Sequence, residues 1–168
     1  MLDQSRIVIL IGLLLVVSVF SYSVWKKEQI LTQGEGILIH LAPVDPRSLM
    51  QGDYMILNYD IPRIIEIEAD GQLEGMLVYT LDEHNVVTFK RVAQPNDSLS
   101  ANERRLHFRN RRRGIQVGAN SFFFQEGKVK TFEAAKYGEL RVDGNGHSVL
   151  VALRDGDLKQ LGLTSGLQ

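Results

Sequence analysis

The chain has no cysteine, which removes disulfides, thiolate nucleophiles and every cysteine-based zinc or iron–sulfur site together. The absence is compatible with an oxidising compartment. Neither sign of charge dominates: 19 Lys+Arg stand against 20 Asp+Glu, so the overall field selects no particular partner. There is no phosphate-binding glycine loop and no Gly-x-Ser-x-Gly nucleophile elbow. His40, His84, His107 and His147 are scattered, with neither His-x-His nor His-Glu-x-x-His spacing. The segment Asp143-Gly144-Asn145-Gly146-His147 has some features of a calcium loop. It puts Ser148 where the sixth-position glycine belongs and Arg154 where the bidentate glutamate belongs, and it reads as a hairpin turn. No metal and no cofactor are expected. Internal repeats and low-complexity segments are absent too.

What is present begins at the N-terminus. From Ile7 to Trp25 run nineteen residues without a charge, about 28 Å as a helix, which is close to one hydrocarbon core. Tyr22 and Trp25 lie at the distal end of this run, where amphipathic rings suit a membrane interface, and Lys26-Lys27 close it. Ser21-Tyr22-Ser23 is a poor cleavage site, so an uncleaved anchor is expected rather than a signal peptide. For orientation, Arg6 on one side against Lys26-Lys27 on the other favours a cytoplasmic C-terminal domain. The very short basic tail followed by an apolar run has the opposite implication, that of a signal-anchor with an outward domain. The outward reading is preferred.

The expected division is a tail and anchor over 1–27, a polar linker over 28–36, and a β-rich domain over 37–168. Strand-like segments are Ile37–Leu41, Tyr54–Ile61, Met76–Leu81, Val86–Val92, Leu106–Arg111, Ser121–Gln125, Leu140–Val142 and Val149–Leu153, most of them rich in Val, Ile, Tyr and Phe. Asp82–Asn85 and Asp143–Gly146 are hairpin turns by composition. One helix is expected over Val129–Tyr137, with Gly138 as its C′ residue. The fold class is therefore mainly β: an N-terminal transmembrane helix, then a small barrel or sandwich with one short helix.

The run Gly52-Asp53-Tyr54-Met55-Ile56-Leu57-Asn58-Tyr59 follows Pro43-Val44-Asp45-Pro46-Arg47-Ser48-Leu49. Together they resemble the signature of the GDYXXLXY proteins, small membrane-anchored bacterial proteins with no established biochemical function. A second block fits the same family: Phe123-Phe124-Gln125-Glu126-Gly127-Lys128, then Glu133-Ala134-Ala135, then Gly138 to Asp143. The resemblance implies an extracytoplasmic (periplasmic) domain at the inner membrane and a membrane-protein partner. It carries no catalytic roles. Physically, Tyr54, Ile56 and Asn58 should share one strand face, with Met55, Leu57 and Tyr59 on the other. Asp53 reads either as a turn clamp or, with Tyr54, as part of a binding groove.

Two further stretches resemble type I signal peptidases: Pro46 to Asp53, and Phe89-Lys90-Arg91-Val92 running on to Asp97. That likeness implies a Ser48–Lys90 dyad as an alternative, with a desolvated lysine acting as base. The sequence departs from the pattern where the nucleophile belongs, because Pro43 stands there, and Asn96-Asp97 replaces Gly-Asp. An enzyme is the less favoured expectation.

The main electrostatic feature is the tract 104–113, six arginines in ten residues. As a strand it lines one face with Arg105, His107, Arg109, Arg111 and Arg113 and turns Leu106 and Phe108 inward. Such a face suits anionic lipid headgroups or an acidic partner. Its bland alternative is pairing with Glu66, Glu68 or Glu74. Nucleic acid is not expected, since no recognised binding module accompanies the charge.

Overall fold

A computed structural model describes residues 4–42, 54–111, 114–124 and 127–162. Helix α1 spans Gln4–Gln33. Its apolar side chains from Val8 to Val24 are exposed along the whole run, and α1 is long and apolar enough to cross a membrane. The helix does not stop at the lysines. Residues 28–33, which the sequence suggested as linker, are its last turns, because Glu, Gln and Leu propagate a helix well.

Only Gly34 then separates α1 from the first strand. Its amide donates to the Ile30 carbonyl at 3.0 Å. A Cβ at this position would collide with the same carbonyl and stand 3.1 Å from the backbone of Val142. Ile30 is buried at 6% exposure, and the end of α1 rests on the last two strands of the domain.

The strands are β1 (Glu35–His40), β2 (Tyr54–Ile56), β3 (Glu74–Leu81), β4 (Val87–Val92), β5 (Arg104–Arg111), β6 (Gly114–Val117), β7 (Ser121–Phe123), β8 (Tyr137–Val142) and β9 (Ser148–Arg154). The short helices are α2 (Arg63–Glu68) and α3 (Val129–Phe132). Antiparallel sheets of order β1-β8-β9 and β4-β3-β5-β6 are accompanied by a β2-β7 ribbon. The Leu38–Val86 bridge joins the two larger sheets at one side. At the other side, the His107 amide donates to the Gly146 carbonyl at 2.8 Å. The result is a curled sheet, a half-barrel, around one main core.

That core follows the period-2 reading of the strands. Leu106 and Phe108 are fully buried between exposed Arg105 and Arg109, and Met55, Leu57 and Tyr59 are buried while Asn58 is exposed. Burial at about 25 cal/mol per Å² of apolar surface is what holds such a sheet closed on itself.

Both expected hairpin turns form around an aspartate. Asp82 Oδ1 accepts from the amides of His84 and Val86, and Asp143 Oδ1 from those of Asn145 and His147. Gly146, at φ 84°, lets the second turn seat against β5. A Cβ there would stand 2.9 Å from the Arg105 carbonyl oxygen.

Further elements differ from the sequence expectation. Strand β2 ends at Ile56 rather than Ile61. Helix α2 is present where no helix is expected; it starts after Pro62, whose fixed φ of −56° suits a helix entrance, and is anchored by fully buried Ile65. Strand β6 is also additional, pairing with β5 and burying Ile115 and Val117. Helix α3 covers only four residues, because 137 onward is drawn into β8 by pairing with β1.

Candidate functional site

The arginine strand takes the orientation its alternation implies, yet its cations do not form one site. Arg105 lines a shallow cleft with Gly144, Asn145 and His147, and Arg111 lines another with Gly71, Leu73 and Asn120. Arg109 faces a third, and this one has a different character. Its first wall is a stripe of α1: Tyr22, Ser23, Lys26, Lys27 and Ile30. The spacing i, i+1, i+4, i+5, i+8 is that of a single helix face. The opposite wall is β5, β6 and the β8–β9 hairpin, contributing His107, Arg109, Gln116, His147 and Ser148. The cleft between them has a volume of about 450 Å³.

Its electrostatics are one-sided. Lys26, Lys27 and Arg109 bring three permanent cations, and no Asp or Glu is among the lining residues. His107 and His147 stack beside them, centroids 5.7 Å apart and planes inclined by 12°. Asp143 borders the histidine pair, its Oδ2 3.4 Å from His147 Nδ1 while its Oδ1 is engaged by hairpin amides. Among the described residues no carboxylate lies within 4 Å of the Arg109 or Arg111 guanidinium. Of the pairing partners suggested by sequence, Glu68 accepts from the Val92 amide at 3.0 Å, while Glu74 stands directly across the β3–β5 ladder from Arg109 without an ion pair within 4 Å.

Other charges of the tract and its surroundings serve the fold. Arg91 makes a forked contact with Glu103 and a second ion pair with Asp97, pinning the long β4–β5 connection. The Arg91 contact holds the Glu103 carboxyl down at about 2. Arg104 bonds Glu35 of β1 at 2.6 Å, and Arg105 donates to the Asp97 carbonyl at 2.6 Å. All three of Arg105, Arg109 and Arg111 are exposed, but Arg105 is tied to the β4–β5 connection.

Of the signature residues, Tyr54 sits on β2 opposite Phe123 of β7, with ring centroids 5.6 Å apart. Phe123 is 73% exposed, so this pair forms an aromatic ridge on the β2–β7 ribbon. Tyr59, at the other end of the signature, is a core residue. Its hydroxyl donates to the Ala119 carbonyl at 2.8 Å, and burial raises its ionisation well above the ordinary tyrosine value.

Asp53 and Ser48 lie outside the described residues. Lys90 is exposed on β4. Among the described residues no group of three or more His, Asp or Glu side chains is placed to hold a metal ion.

The sequence reading did not anticipate the meeting of Lys26-Lys27 with β5 and the hairpin. Their partners lie roughly eighty to a hundred and twenty positions away, and no periodicity reports such a contact. The available signal was the helical stripe that puts Lys26 and Lys27 beside Tyr22 and Ile30.

No curated protein and no solved structure matches this chain. A family model described as GDYXXLXY protein matches residues 16–153, from within α1 to the end of the core of β9. With the match covering most of its length and the run 52–59 carrying every letter of the motif, the chain belongs to the GDYXXLXY protein family.

Proposed function

We infer that this protein is a membrane-anchored accessory protein that works with a membrane-protein partner. In this reading α1 spans the inner (cytoplasmic) membrane of a bacterial cell once, and the half-barrel stands on its outer side. One observation carries it: an exposed apolar helix enters the domain with a single residue, Gly34, between helix and sheet. Such a joint fixes the domain's faces relative to the bilayer, which suits a surface meant to meet another membrane protein at a set height and angle.

Arg6, a basic residue just ahead of the apolar run, supports the outward orientation. Lys26 and Lys27 have a local use in the cleft beside Arg109, so their charge has a role other than retaining the domain in the cytoplasm. The contact surface assigned to the partner is the Tyr54–Phe123 ridge together with the exposed Arg111 of β5. Aromatic and arginine side chains are the residue types that dominate protein interfaces energetically. Asp53, next to Tyr54 in sequence, belongs to the same assignment.

Crosslinking in native membranes followed by detergent co-purification of the tagged full-length chain tests this. A stoichiometric membrane partner is expected, lost when Tyr54→Ala and Phe123→Ser are combined in a protein that still folds. A solitary protein in repeated preparations contradicts it.

A further inference from the structure

We propose that the cleft between α1 and the β5–β6 face is a binding site for the headgroup of an anionic phospholipid. The inference rests on the reading above that α1 lies in a membrane, and goes beyond it by assigning a ligand class to a site.

The wall formed by α1 is the turn at which the apolar run ends. Tyr22 and Trp25, at 6.1 Å between centroids, occupy the level at which aromatic side chains meet lipid headgroups, and Lys26 and Lys27 follow at once. A cleft built on this turn therefore opens at headgroup height, whichever side of the bilayer the domain occupies.

Its lining divides in the way a headgroup does. Ile30, Val149 and the Tyr22 ring supply apolar surface for the glycerol and the first acyl carbons. Lys26, Lys27 and Arg109 supply charge for a phosphate, with Gln116 and Ser148 as further polar groups. Arginine presents a planar fork suited to phosphate oxygens, and lysine a point charge. The volume of about 450 Å³ falls within the range of roughly 300–1,000 Å³ usual for small-ligand sites.

Three like charges line one cleft whose lining holds no Asp or Glu, and a bound anion offsets their mutual repulsion. The joint at Gly34 and buried Ile30 keep the two walls in register before the ligand arrives, so little ordering entropy is spent on binding.

The full-length protein in uncharged detergent is titrated with short-chain phosphatidylglycerol and, separately, with short-chain phosphatidylcholine. The fluorescence of Trp25, the only tryptophan, serves as the reporter. Saturable binding of phosphatidylglycerol at least about tenfold tighter than phosphatidylcholine is expected. Lys27→Gln and Arg109→Gln should each weaken it about fivefold, the usual weight of one basic residue at an anionic surface, while Lys130→Gln on α3 leaves it unchanged. Equal affinity for the two lipids, or undiminished binding in the Lys27→Gln/Arg109→Gln double variant, overturns the proposal. If the double variant fails to fold, the two single variants are read in its place. Inorganic phosphate competing as strongly as the lipid also overturns it, by reassigning the cleft to a free anion. Alkaline extraction of native membranes separates the two levels of the reading. Release of the protein defeats the anchor and the lipid site together, whereas retention without lipid preference defeats the lipid site alone.

Discussion

Arg141 reaches back from β8 to donate a hydrogen bond from Nη1 to the Gly34 carbonyl at 3.1 Å. The contact ties the end of the long helix to a strand more than a hundred residues away. It sits beside the Gly34–Ile30 bond and the buried Ile30 side chain. Helix and domain are thereby one body, and the cationic cleft exists only because they are.

The joint gives a first prediction. Gly34→Ala forces a methyl against the Ile30 carbonyl and the Val142 backbone, where no flexible side chain can yield. Overpacking of this kind costs about 1–3 kcal/mol, so thermal denaturation of the full-length protein in detergent should show Tm lowered by several degrees. An unchanged Tm would mean that the helix end is not seated on β8.

Acid should loosen the β4–β5 connection. Hydrogen bonding from Arg91, then from the Ser100 amide, holds the Glu103 carboxyl at about 2, below its ordinary 4.5. The folded-state value is depressed, so the contact contributes stability that is fully present above 4.5 and is lost as pH falls through that window toward 2. Urea midpoints measured from pH 6 down to pH 2.5 should decline over that range for the native chain. Glu103→Gln should start lower at pH 6 and decline less. Parallel curves for the two proteins would show that Glu103 does not carry the effect.

The signature separates into structural and surface positions, and two substitutions tell them apart. Tyr59→Phe deletes the donor to the half-buried Ala119 carbonyl and should cost about 0.5–1.5 kcal/mol in chemical denaturation. Phe123→Ser removes a ring that is 73% exposed and should alter stability by no more than about 0.5 kcal/mol, while reducing recovery of the crosslinked partner. A Phe123→Ser protein that loses stability as Tyr59→Phe does, or that keeps its partner in full, would count against the ridge as a contact surface.

Much of the fold was legible because it is written in alternation. Leu106 and Phe108 inward with Arg105 and Arg109 outward, and Met55, Leu57 and Tyr59 inward, follow directly from a period of two. The aspartate-led turns at Asp82 and Asp143 were legible for a local reason as well, since each carboxylate serves amides two and four residues on. Helix α2 was not, because Arg63-Ile64-Ile65-Glu66-Ile67-Glu68 is rich in β-branched isoleucine and only Pro62 marks the entrance. The extension of α1 to Gln33 was obscured because polar residues read as linker also make good helix. The cleft was the least legible feature. Its charges come from 26, 27 and 109 and its imidazoles from 107 and 147, and only the curl of the sheet and the direction of the helix bring them together.

The most direct test of the account is the distance between the helix end and the β3–β4 hairpin turn. The chain has no cysteine, so Glu28→Cys and Glu83→Cys, both at exposed positions, place two spin labels without background. Pulsed electron paramagnetic resonance on the full-length protein in lipid nanodiscs should return one narrow distance distribution, unaltered by changing the lipid. A broad distribution would mean that the domain swings on a flexible tether, and that neither the cleft nor a fixed partner-facing surface exists as described.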